Sequence, residues 1–150
     1  MPKGTTFDNA LLQLLFNNNA ANAPVNAIGS GLQASVTAGN LYVSLHTADP
    51  TASGNQSSSE ISYTGYARQA VARTTGSSGF TVTTNSVSPG SAITFGSMTG
   101  GAGGTVTNWA VGTSPSGTGY ILYTGTVSPN ILVSTGVTPQ LTTASTITES

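Results

Sequence analysis

The sequence predicts an all-β fold, an antiparallel sandwich or barrel preceded by one short N-terminal helix. Three observations carry this expectation. Apolar residues alternate with polar ones from residue 41 onward, short apolar runs recur every 8 to 12 residues between Gly, Ser, Pro and Asn, and helical spacing occurs convincingly only near the start. The expected organisation is a single domain over residues 1–150, with a helix at 6–17, an irregular arm or connection at 18–40, and a β-sandwich at 41–150.

The helix is read from Phe7, Leu11, Leu14 and Leu15, which share one face at 3.6-residue spacing. Thr5 with Asp8 forms a variant capping box, and Asn17 to Asn19 end the pattern because Asn tolerates left-handed backbone. The apolar run from Ala10 to Phe16 also invites comparison with a signal peptide. Asp8 lies where such a peptide is positive and Gln13 interrupts the run, so an amphipathic helix is the expected reading. Residues 18–40 are rich in Ala, Asn, Gly and Ser, with a turn of helix or strand allowed near 32–36.

The first strand is the clearest. Leu41, Val43 and Leu45 point one way, and Tyr42, Ser44 and His46 the other, until Asp49-Pro50 breaks the alternation. A polar loop at 51–59 follows. Further strands are expected at about 68–73, 80–84, 92–95, 105–111, 120–125, 131–133 and 143–147. The glycine-rich stretch 95–104 lacks the Lys of a phosphate loop and reads as a turn that needs positive φ.

Charge is scarce. Only 5% of residues are charged, against an ordinary value near 25%, so Ser, Thr, Asn and Gly must carry the surface. Three cations cannot track a phosphate backbone or form a polybasic membrane patch, so neither nucleic acid nor a membrane is an expected partner. No apolar run approaches about 20 residues. A net charge of −1 favours association, which suits a protein that lives in an assembly. The chain has no cysteine, hence no disulfide and no thiolate metal site.

Candidate chemistry is thin, and no catalytic, metal or cofactor site is expected. His46 is the one histidine, with Asp49 three positions on, but no nucleophile elbow accompanies it. A solvent-facing or interface histidine is the expected role. The scattered carboxylates match no metal-binding spacing. Asp49 and Glu60 flank the polar loop and are expected to close it. Arg68 is expected to pair with Asp49 or Glu60, with an intersubunit contact as the alternative. Tyr63 and Tyr66 are expected as exposed contact residues, while Trp109, Tyr120 and Tyr123 are assigned to the core. Lys3, Arg73 and Glu149 carry no specific signal and are read as solvated.

Three motifs in order resemble a family of small tailed-bacteriophage virion proteins. They are Leu41-Tyr-Val-Ser-Leu-His-Thr-Ala-Asp-Pro50, then Glu60 with Tyr66-Ala-Arg-Gln-Ala-Val71, then Gly104-Thr-Val-Thr-Asn-Trp-Ala-Val111 followed by Tyr123-Thr-Gly125. The N-terminal Leu-Leu pair belongs to the same pattern, which spans residues 6–139. The sequence departs from it in a longer, Gly/Ala-rich 24–40 stretch and in His46, where the family more often has an aromatic or aliphatic residue. Such proteins are often called tail-fibre proteins, and similar ones are capsid cement or decoration proteins with a jelly-roll-like sandwich. The resemblance implies a virion location. The leading expectation is a cement protein on the outer capsid surface, bound to the major capsid protein and to itself as a dimer or trimer. A tail-fibre or baseplate component that contacts host glycans is the alternative.

Overall fold

The computed structural model describes residues 3–21, 24–28, 32–51 and 53–149. It is an all-β sandwich of antiparallel sheets with one α-helix, as the sequence predicts. Helix α1 spans Thr5–Asn17 and is followed by a 3₁₀ turn at Val25–Ala27. The strands are β1 (Asn40–His46), β2 (Gln69–Ala72), β3 (Phe80–Thr83), β4 (Ser86–Pro89), β5 (Ile93–Thr94), β6 (Gly104–Gly112), β7 (Ile121–Val133), β8 (Gln140–Leu141) and β9 (Ile147–Thr148).

The largest sheet has the order β2-β1-β6-β7, the second has β3-β4-β9, and β5 pairs with β8. The alternation in β1 determines its register. Val43 faces Val111, and Leu45 faces Trp109, all four fully buried. Burying side chains of this size contributes about 1.5–3 kcal/mol each, so this inward stripe anchors the sheet. Phe16 of α1 meets Phe80 edge-on at 4.9 Å and Tyr123 at 5.6 Å, which seats the helix on the core.

The helix differs from expectation in two ways. Gly4, not a side-chain oxygen, is the N-cap, so the Thr5–Asp8 box does not form. The fully covered face holds Ala10, Leu12 and Phe16 with Asp8, while Phe7, Leu11, Leu14 and Leu15 are half-buried. The apolar residues wrap much of the helix, and the Phe16–Phe80 contact selects the face that turns inward. Asn18 ends the helix in left-handed backbone at φ 52°, and the Asn19 amide donates to the Gln13 carbonyl at 3.1 Å.

Arg73 is not solvated. Its guanidinium donates to the carbonyls of Leu14 (2.8 Å) and Leu15 (2.6 Å) at the helix C-terminus, and to Ala38 (3.0 Å). A cation there satisfies orphan carbonyls and complements the helix dipole. It also fastens the irregular stretch, in which 32–36 forms neither helix nor strand. Lys3 and Glu149 likewise pair with each other.

Candidate functional site

The chemically distinctive region is one face of the large sheet, where the chain leaving β1 after His46 runs back along the strand to meet the 113–120 loop, which leaves β6 opposite Tyr42. Tyr42, Ser44 and His46 do lie on the face of β1 opposite the core stripe. That face is not open to solvent. The 53–59 segment folds back across it, so Ser44 and His46 are fully buried. The expectation of an exposed or interface histidine is therefore corrected, because a polar loop rather than water covers the strand.

His46 makes two hydrogen bonds. The Ser58 carbonyl can only accept, so Nδ1 carries the proton and donates to it at 2.8 Å. Nε2 then accepts from the Ser44 hydroxyl at 2.9 Å. Burial lowers the His46 pKa below its ordinary 6.5, outweighing the opposing effects of the Ser58 carbonyl and Glu60. The folded chain thus binds fewer protons than the unfolded chain just below that pH, and stability present above pH 6.5 is lost as pH falls. Burial by itself would raise Glu149, but hydrogen bonds from Lys3 and Tyr123 hold it below its ordinary 4.5. Its contribution therefore fades only at lower pH. The urea midpoint is expected to fall between pH 6.5 and pH 5, with the fall abolished in His46→Gln. A midpoint flat across that window in the wild-type chain refutes the account.

Gln56 is the second buried polar residue under the loop. Its Oε1 accepts from the Ser114 amide at 2.9 Å, its Nε2 donates to the Tyr42 carbonyl at 3.3 Å, and its backbone N–H donates to the Gly119 carbonyl at 2.9 Å. Both loops are joined again where the Ser57 hydroxyl donates to the Gly117 carbonyl at 2.9 Å.

Arg68 is the hub. Nε and one terminal nitrogen donate to the two Glu60 oxygens at 2.8 and 2.7 Å. The remaining donors reach the carbonyls of Ser114 (3.1 Å) and Gly117 (2.7 Å). The planar five-donor fork of Arg suits this set, and Lys could not reproduce it. The Glu60 hydrogen bonds hold the Arg68 pKa above its ordinary value despite its burial. Tyr66 donates to Glu60 at 2.8 Å and accepts from the Leu45 amide at 3.1 Å, and burial pushes its phenol well above the usual range.

The expected residues thus divide. Glu60, Arg68 and Tyr66 come together as a loop-fixing cluster. Asp49 does not join it. It is exposed and accepts from the Thr51 amide at 3.0 Å, a local turn beside the loop. Tyr66 is half-buried in that cluster rather than an exposed contact residue, and Tyr63 is not exposed either. It is buried, donates to the Gly96 carbonyl at 2.8 Å, and packs 5.4 Å from the Tyr66 ring. Trp109 is in the core, Tyr123 is half-buried, and Tyr120 is 80% exposed next to the 113–119 segment rather than packed inside. Gln56 and Ser44 were not singled out by the sequence, since nothing in a Ser/Asn-rich loop marks which polar residue turns inward.

Among the described residues no group of three or more His, Cys, Asp or Glu side chains could hold a metal, and no helix is long and apolar enough to cross a membrane. What the arrangement can do is hold two hydrogen-bonding loops rigidly together over one face of the large sheet.

The class is a structural protein of the phage virion, and a family match over nearly the whole chain carries it. More particularly, the family model described as Podophage GP4 fiber I protein gp80 matches residues 3–148, and the chain belongs to that family. No curated protein matches it.

Proposed function

We propose that the chain is a fibre component of the virion, and that it contacts the host surface through the 47–59 and 113–120 loops. The match over residues 3–148 to a family described as a fibre protein carries this reading. It favours the tail-fibre alternative over a cement protein bound to the major capsid protein. The exposed Tyr120 supports a recognition role, because an aromatic face beside hydroxyl and amide groups is suited to stacking on a neutral sugar. The proposed role is non-catalytic, and the commitment of both His46 ring nitrogens to Ser44 and Ser58 supports that.

Copy number separates the two virion readings. Quantitative gel densitometry of purified particles is expected to give a few to tens of copies, with antibody label on the tail. Hundreds of copies with label over the shell would reinstate the cement reading. For host contact, the purified chain is expected to bind host cells and to lose that binding in Tyr120→Ala.

A further inference from the structure

We infer that the outer edge of β7 is a self-association surface, on which a second copy of this chain pairs antiparallel about a two-fold axis near Thr124. The inference starts from the state of each sheet edge. β2, at one edge of the large sheet, is only Gln69–Ala72, and it lies between the committed Arg68 and Arg73. β3, at the edge of the second sheet, is covered by α1. The side-chain amides of Asn9 and Asn17 donate to the carbonyls of Thr84 and Phe80, both at 2.8 Å. β5, β8 and β9 are two-residue strands.

β7 is different. It is 13 residues long and pairs on one side with β6. Among the described residues no backbone hydrogen bond joins its other side to any segment. A long uncovered edge presents a row of backbone donors and acceptors ready to pair.

Chemistry points to a like partner. Between Arg73 and Glu149 the sequence contains no charged residue, so the edge carries none of the Lys or Glu side chains that usually deter pairing. Two copies can approach there without like-charge repulsion. An antiparallel pair needs only one self-complementary patch.

The extent of pairing is bounded. Register with β6 is regular from Asn108–Thr126 to Val111–Tyr123 and shifts on either side, between Tyr123 and Ile121 and between Thr126 and Ile131, where Pro129 supplies no amide. The new ladder therefore occupies Tyr123 to Thr126 of each copy. Each chain uses the same stretch of edge, so the pair closes and does not propagate.

Sedimentation equilibrium of the full chain is expected to give twice the 14.9 kDa chain mass. Thr124→Lys places two ammonium groups beside the axis and should halve that mass with an unchanged circular dichroism spectrum. A monomeric wild-type chain overturns the inference, as does a folded Thr124→Lys chain that keeps the doubled mass. If that variant fails to fold, Thr124→Cys in this cysteine-free chain supplies the test. A short thiol-to-thiol reagent should yield a covalent dimer, and its absence overturns the inference.

Discussion

Replacing Arg68 with Ala is expected to lower the unfolding free energy by about 3 kcal/mol, the lower end of the range for removing one member of a buried ion pair. The Arg68 side chain is 2% exposed and that of Glu60 is 15% exposed, so water can only partly repair the loss. After truncation Glu60 keeps the Tyr66 hydroxyl but loses both guanidinium bonds. The carbonyls of Ser114 and Gly117 lose their donor at the same time. Urea denaturation measures the total, and amide exchange locates it. Protection should drop at 113–119 and around the Glu60 turn, while β6 keeps its protection. A double variant, Arg68→Met with Glu60→Gln, should recover part of the loss because no unpaired charge remains. A change below about 1 kcal/mol in Arg68→Ala would place the pair among ordinary surface bridges and refute the hub.

That hub shows how far the sequence could be read. With three cations in the chain, a pairing of Arg68 with a nearby carboxylate was legible, and Glu60 is the one it takes. The carbonyls it also ties lie more than 45 residues away, and backbone carbonyls leave no trace in a sequence. The β1 alternation correctly placed Leu41, Val43 and Leu45 inward. The same alternation placed His46 on the other face, but period-two patterning names a face and not what covers it. Two strands escaped notice for different reasons. β4 (Ser86–Pro89) has the composition of a turn and is fixed by pairing with β3, and β8 is too short to show a period. Conversely, the expected strands at 120–125 and 131–133 are one strand, β7. The Ser-Pro-Asn at 128–130 that reads as a break is an irregularity on a sheet edge, where Pro is tolerated. Arg73 was read as solvated because its partners are the last helix carbonyls, unmet groups created only once the helix exists.

Gly125→Ala is expected to destabilise the chain by about 1–3 kcal/mol, the usual cost of overpacking a filled core. The sign is the informative part. In an ordinary strand, exchanging Gly for Ala should gain about 0.5–1 kcal/mol by restricting the unfolded chain. At this position Gly125 stands opposite Trp109 in the β6–β7 register. A Cβ there would lie 2.5 Å from the indole Nε1 and 3.0 Å from Cε2, with Ile147 Cγ1 at 3.3 Å on the far side. The ring is fully buried, and its Nε1 meets no hydrogen-bond partner among the described residues, so packing holds the indole. A rigid bicyclic ring cannot yield as a flexible side chain does. Either the indole leaves its rotamer or the β6–β7 pairing widens. Gly100→Ala is the control, since the nearest atom to its added carbon is the Thr64 hydroxyl oxygen at 3.5 Å. Thermal melting should drop by roughly 2–4 °C per kcal/mol in Gly125→Ala and stay level or rise slightly in Gly100→Ala. Because Trp109 is the single tryptophan, its fluorescence reports the disturbance directly. A Gly125→Ala chain as stable as the wild type, with an unshifted emission spectrum, would mean that the indole does not fill the space above this glycine.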